Sequence, residues 1–303
     1  MMLIRPITGV VLLFLFSLLI TRVVGASLGY SDEIAFQSNM QGNDDIYRLD
    51  LRTRLLMNIT RSNSSYDGTP AWSPDGRQIA FASFRENGGQ QVISVYRMLA
   101  NGTQVQRVTQ LYSRKPTWSP DGERLAFMAT RPEYIVIKSV TGGEERFLGY
   151  GVSPDWSPDG RLILADVASD GGVIRTYMVA DEHSQDILSG TFYFSEPDWS
   201  PDGRWIAFST NEREGFDIAI VPATCQMLCA EQMIAITDNR SHDWAPDWDP
   251  TGQQLVFVCQ TDRHSDLCIV DADGNNRQAL SVIPHGASVL SPVWRPPPND
   301  LPD

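Results

Sequence analysis

The chain is short of the residues from which metal sites, lipid anchors and nucleic-acid grips are built. Of its 303 residues four are histidine, His183, His242, His264 and His285, and no two stand at a spacing that suits one metal. Four are cysteine, and none precedes Cys225, which excludes a lipidated cysteine near the N-terminus. Their pattern, Cys225-x3-Cys229 followed by a distant Cys259 and Cys268, lacks the two tight knuckles of a zinc site. Basic residues are scarce as well: 24 face 37 acidic ones, for a net charge of −13. Such a field repels nucleic acid and anionic membrane surfaces. The Gly-x-Ser-x-Gly match at residues 25–29 has no strand-turn-helix context and supplies no nucleophile elbow. No metal, cofactor or catalytic residue is therefore expected.

Apolar residues run on at length only near the start. Arg5 precedes the apolar stretch 7–20, and Val24-Gly25-Ala26 offers small residues before Ser27, so residues 1–26 read as an export signal. The stretch is short of the roughly 20 residues of a spanning helix, and Arg22 interrupts it; a retained membrane anchor is the alternative. Either reading places the rest outside the cytoplasm, periplasmic or secreted. There four cysteines read as disulfides, in one of three connectivities, and the local pairing Cys225 with Cys229 and Cys259 with Cys268 is preferred. Sequons at Asn58, Asn63, Asn101 and Asn239 are read as chance.

What the chain has is one phrase, repeated. Pro70-Ala71-Trp72-Ser73-Pro74-Asp75-Gly76 returns at residues 116–122, 154–160 and 197–203, then altered as Pro246-Asp247-Trp248-Asp249-Pro250-Thr251-Gly252 and shortened as Pro292-Val293-Trp294-Arg295-Pro296. The steps from Trp72 through Trp118, Trp156, Trp199 and Trp248 to Trp294 are 46, 38, 43, 49 and 46 residues. One propeller blade of four strands takes about 40 to 50. Within the phrase, proline presets φ, aspartate bonds its own backbone and glycine accepts φ > 0, so it reads as a tight turn between strands. Short apolar runs such as Ile79-Ala80-Phe81 and Ile206-Ala207-Phe208 follow it, with further strands at Asp45-Ile46-Tyr47, Asp217-Ile218-Ala219 and Asp266-Leu267-Cys268.

The first repeat starts at its second strand, Ile34-Ala35-Phe36, and the last stops after its first, at Trp294. Pairing these two ends closes a ring and leaves no bare edge. The expected fold is therefore all-β: a six-bladed β-propeller of four-stranded antiparallel blades over residues 27–303, closed by its C-terminal strand, and monomeric. The tryptophans are expected to pack blade on blade.

Ligands of propellers gather at the axial mouth. Four residues before each proline stand Tyr66, Tyr112, Tyr150, Tyr193 and His242, with Ser288 in the sixth place. They are expected either to form a collar of exposed rings or to pack between blades. Between collar and proline lie Asp67, Arg114, Lys115, Glu196 and Asp243, a lining of mixed charge. Asp155, Asp198 and Asp247, each before its tryptophan, face the channel or bond to a strand start. Tyrosine joins apolar area to a polar tip, which suits a peptide or a sugar.

The repeated Pro-x-Trp-Ser-Pro-Asp-Gly-x-x-Ile-Ala-Phe, as in residues 70–81, 116–127 and 197–208, resembles the propeller repeat of the periplasmic TolB family across residues 34–295. Prolyl-oligopeptidase relatives, tricorn-type proteases and oligogalacturonate lyases carry similar repeats. The resemblance implies a six-bladed propeller outside the cytoplasm. It leaves in doubt the TolB partner network, for want of that family's N-terminal α/β domain. An exported, non-catalytic propeller that takes a protein or peptide of the cell envelope at its axial mouth is expected. The rival is a carbohydrate lyase or hydrolase using the channel near His242 and His285.

Overall fold

The Ser-Pro-Asp-Gly phrase makes a tight turn, and the serine anchors it. The Ser73 hydroxyl donates to Asp75, and accepts from the N–H of Gln78 at 2.9 Å, while Gly76 N–H donates to the Ser73 carbonyl at 2.8 Å. Gly76, Gly122, Gly160, Gly203 and Gly252 all take φ between 64° and 70°, the left-handed region that a Cβ disfavours. In the altered copy Asp249 stands where serine does elsewhere. Its Oδ1 accepts from Gln254 N–H at 2.8 Å, so a carboxylate replaces the hydroxyl without changing the turn.

The structure is a computed structural model that describes residues 32–297 apart from 62–64, 88–89, 111, 130–131, 170, 213–214, 226–228, 239–241 and 261–263. The export signal or anchor expected at 1–26 lies outside the described residues. In chain order the strands are β1 (Glu33–Ser38), β2 (Asp45–Asp50), β3 (Leu56–Asn58), β4 (Asp67–Trp72), β5 (Gln78–Asn87), β6 (Gln90–Leu99), β7 (Gln106–Arg107), β8 (Ser113–Trp118), β9 (Arg124–Ala129), β10 (Tyr134–Ser139), β11 (Arg146–Tyr150), β12 (Val152–Trp156), β13 (Leu162–Ser169), β14 (Gly171–Met178), β15 (Ser184–Ser189), β16 (Phe194–Trp199), β17 (Trp205–Thr210), β18 (Asp217–Pro222), β19 (Ile234–Ala235), β20 (Asp243–Trp248), β21 (Gln254–Gln260), β22 (Ser265–Asp271), β23 (Gln278–Ala279) and β24 (Val289–Trp294). They form six four-stranded antiparallel sheets. Five run consecutively from an inner to an outer strand. The sixth has the order β24-β1-β2-β3, with Ile34 opposite Trp294 and Ser38 opposite Val289. The two chain ends thus complete one blade, as the half-repeats required.

Blade-to-blade packing falls to the phrase tryptophans. Trp72 sits among Ala35 and Ile46 of the blade before and Ile79, Phe81 and Tyr96 of its own. Trp118, Trp156, Trp199, Trp248 and Trp294 each join the same kind of two-blade cluster. Within the blades, Phe36, Phe81, Phe127, Phe208 and Phe257 are fully buried. Burying such rings drives the collapse of the ring of sheets, at roughly 25 cal/mol per Å2.

Disulfides join Cys225 to Cys229 and Cys259 to Cys268, the local pairing. Cys259 lies opposite Asp266 and Cys268 opposite Phe257 in the β21–β22 ladder, so the second bridge runs diagonally across that hairpin. Asn58 is buried and donates to Asp45 at 2.8 Å, which leaves its sequon inaccessible.

Candidate functional site

Every inner strand carries a bulge at the same place. In β4, β8, β12, β16, β20 and β24 the ladder slips by one residue just before the proline. The residues there, Thr69, Lys115, Ser153, Glu196, Ala245 and Ser291, all have φ between 46° and 54°. For a residue with a Cβ this costs on the order of 1 kcal/mol. Bonds to the neighbouring blade offset it: Thr69 N–H donates to Gln37 Oε1 at 3.2 Å, Lys115 N–H to Thr69 Oγ1 at 3.3 Å, and Ala245 N–H to Ser209 Oγ at 3.0 Å. Each bulge turns one side chain toward the axis.

Those six residues line an axial cavity of about 680 Å3, together with the six phrase tryptophans and the turn prolines Pro74, Pro120, Pro158, Pro201, Pro250 and Pro296. It therefore reaches from the bulges to the face that carries the Ser-Pro-Asp-Gly turns. Lys115 Nζ donates to Ser153 Oγ at 2.7 Å and to Glu196 Oε1 at 3.2 Å, so three of the bulge residues meet. Asp166, from β13, lies against this group, with Ser153 as a hydrogen-bond partner. Burial pushes its carboxyl up to about 6, with the Lys115 charge working against the rise. Its Oδ1 is buried with no hydrogen-bond partner.

Asp155, Asp198 and Asp247 line the same cavity and also bond to the next strand start. Asp155 Oδ2 accepts from Trp199 N–H at 2.9 Å, Asp198 Oδ2 from Trp248 N–H at 2.8 Å, and Asp247 Oδ2 from Trp294 N–H at 2.7 Å. They keep some surface toward the cavity, yet protein walls them on the other sides. Desolvation pushes Asp155 up to about 6, and it raises Asp198 and Asp247 too, where the charges of neighbouring acids add to the rise. Among the described residues no three histidines, cysteines, aspartates or glutamates are grouped to hold a metal ion.

The expected collar stands at the opposite end of the inner strands. Equivalent placement is visible in one recurring bond: the carbonyls of Tyr66, Tyr193 and His242 accept from Phe84, Asn211 and Gln260 N–H respectively. Tyr150 is 56% exposed and Tyr193 is 62% exposed, and His242 is exposed too. Tyr150 stacks on Tyr134 at 4.4 Å, with Phe147 edge-on to Tyr134, and the Tyr177 hydroxyl donates to its carbonyl. Asn211 accepts from Tyr193 N–H at 2.7 Å. His242 Nδ1 accepts from Phe216 N–H at 3.2 Å.

Tyr66 and Tyr112 are half-buried. Tyr66 leans over Gly68 to donate to Gln37 Oε1 at 3.3 Å, and burial raises its phenol. The Arg114 guanidinium lies 5.7 Å from the Tyr112 ring. The mixed-charge lining divides in the same way. Lys115 and Glu196 reach the cavity. Asp67 and Asp243 are instead fully buried within their blades, in ion pairs with Arg85 at 2.8 Å and Arg277 at 3.0 Å, and present nothing to the mouth.

Sequence reasoning missed the bulges, and with them Thr69, Ser153, Ala245 and Ser291. A signal was there: the residue before each proline, read down the six copies, is threonine, lysine, serine, glutamate, alanine and serine, with no common chemistry.

A family profile described as the TolB beta propeller domain matches residues 30–178. No curated relative matches the chain in sequence. The fold is similar to the crystal structure of TolB from Acinetobacter baumannii, with a TM-score of 0.74 at 19% identity over 88% of this chain and 67% of that one. Putative TolB from Agrobacterium tumefaciens gives 0.65 at 22% identity, over 82% and 88% of the two chains. An oligogalacturonate lyase in complex with manganese is more distant, at 0.54 and 13% identity over 75% and 71%. The profile match over residues 30–178 and the six closed blades built on the repeated phrase give the described chain a TolB-type β-propeller fold.

Proposed function

We propose that the protein is an exported, non-catalytic binding module that takes a protein or peptide of the cell envelope at its axial mouth, as scaffold or sensor. The observation that carries this reading is the exposure of Tyr150 and Tyr193, 56% and 62%, each four residues before the proline of its phrase. Rings that only packed between blades would be hidden. Instead their backbones are clamped, by Tyr177 and by Asn211, while the rings face solvent. Fixed aromatic anchors of this kind carry much of the energy of protein contacts. Half-buried Tyr66 and Tyr112, with Arg114, support the rim from within, and His242 extends it. Two disulfides suit an oxidising compartment outside the cytoplasm, and an N-terminal segment that exports or tethers the chain would place it there. The acidic chain takes no nucleic acid in this reading and acts as a monomer.

The test compares the full chain with a Tyr150→Ala/Tyr193→Ala variant, both immobilised and exposed to envelope extract. A discrete partner captured by the first and lost by the second, at equal Tm, supports the reading. Equal capture by both overturns it, as does failure of the unaltered protein to retain any partner. So does turnover of an oligosaccharide or peptide substrate by the purified chain.

A further inference from the structure

The four histidines, read along the sequence, offer no metal pair, but the fold makes one. His264 opens the segment leading into β22, and His285 lies in the loop that leads into the ring-closing β24. Their ring centres are 4.9 Å apart, with planes at 77°. The two segments are joined at their base, where the Ser265 hydroxyl accepts from Val289 N–H at 3.1 Å. The loop is also tied to the first blade: Asn39 Oδ1 accepts from Ser288 N–H at 2.8 Å, and the Ser38 hydroxyl donates to the Ser288 carbonyl at 2.6 Å. The backbone thus sets how far apart the imidazoles stand.

We propose that His264 and His285 form a two-imidazole site for a borderline divalent transition-metal ion, of the copper(II), nickel(II) or zinc(II) class, which clamps the β20–β23 blade to the closing strand. An ion about 2.0–2.1 Å from one nitrogen of each ring lies about 3.2 Å from each ring centre. Centres 4.9 Å apart then subtend about 100° at the ion. That falls between the roughly 90° of octahedral or tetragonal sites and the roughly 109° of a tetrahedral one. Rotation about χ2, which is broad for histidine, can aim the nitrogens without moving the chain. His285 is exposed and His264 half-buried, so the ion has a path in and water can complete its shell. No group of three protein ligands forms here among the described residues, so the site is exchangeable, and copper(II) binds it more tightly than zinc(II).

Calorimetry of the tag-free chain with copper(II) and with zinc(II) tests this, alongside His285→Ala and His264→Gln. One ion per chain is expected, with affinity falling roughly tenfold or more in either variant and the copper(II) resonance showing two nitrogen ligands in the unaltered protein only. Zinc(II) should raise Tm in the unaltered protein and not in His285→Ala, because an ion that binds only the folded form stabilises it. His285→Ala removes an exposed ring, and its Tm without metal shows directly that it folds. Binding that is absent from the unaltered protein, or as tight in either variant as in the unaltered protein, overturns the proposal and leaves the two rings as an aromatic contact.

Discussion

Lowering the pH from neutral should stabilise this protein before it destabilises it, and Asp166 shows why. Its carboxyl rises from the ordinary 3.8 to about 6 on folding. Between those values the native state holds a proton that the unfolded chain has lost, so stability falls as pH rises, and the loss is complete once the native group ionises. A rise of about two units at about 1.4 kcal/mol each sets an upper limit near 3 kcal/mol. Relaxation around the buried carboxylate, which lies beside the open axial cavity, brings the expected effect to about 1–2 kcal/mol. Asp155 moves in the same direction, to about 6. Opposing them are Asp50, Asp121, Asp159 and Asp202, whose carboxyls are held below 3.8 by hydrogen bonds in turns. Their contribution is lost only as pH falls through and below that range. The expected optimum therefore lies at about pH 4–5. Urea midpoints at about pH 4.5, 6 and 7.5 measure it. Asp166→Asn keeps an acceptor for Ser153 but has no proton to lose. It should gain about 1–2 kcal/mol over the unaltered protein at pH 7.5 and almost nothing at pH 4.5. Stability that is flat or rising from pH 4.5 to 7.5, or an equal effect of Asp166→Asn at both ends, refutes the reasoning.

Trp118→Ala and Trp199→Ala should each cost about 3–5 kcal/mol in chemical denaturation. The first should cost about 1 kcal/mol more, because Trp118 Nε1–H donates to the Ala71 carbonyl at 3.1 Å, whereas Trp199 Nε1 has no partner. Gly68→Ala should destabilise by about 1–3 kcal/mol, because its new methyl would meet Gln37 Oε1 at 2.2 Å and the Tyr66 hydroxyl at 2.4 Å; a change in Tyr66 fluorescence or crystallographic position checks the cause. Replacing Cys259 and Cys268 by serine opens a bridge with a sequence separation of 9 and should lower stability by about 2–3 kcal/mol, read from the urea midpoint under oxidising conditions.

The ring was legible because each of its determinants is local. Proline, aspartate and glycine declare the turn, and the tryptophan that precedes them declares the interface. Even the half-repeats at Ile34 and Trp294 pointed to each other. Outer strands such as β11, β15 and β23 were the least legible, since segments like Arg146-Phe147-Leu148-Gly149-Tyr150 and Ser184-Gln185-Asp186-Ile187-Leu188-Ser189 pair along one edge only and carry no strong alternation. The site was harder, because its chemistry depends on which distant groups meet. Asp67 and Asp243 looked like mouth residues until Arg85 and Arg277, far along the chain, proved to cover them. Nor does a six-residue strand announce a bulge, since the same letters fit an unbroken ladder.

The repeated slip in the inner strands separates two jobs that a β-strand usually does at once. At Thr69, Lys115 and Ala245 the main chain is moored by a side chain of the blade next door, and at all six slips a side chain lines the cavity. A hydroxyl, an ammonium, a carboxylate and a methyl already share this one geometry. The throat is in effect a combination lock on a fixed barrel, in which Ala245 and Ser291 can be reset alone while Thr69, Lys115, Ser153 and Glu196 turn together.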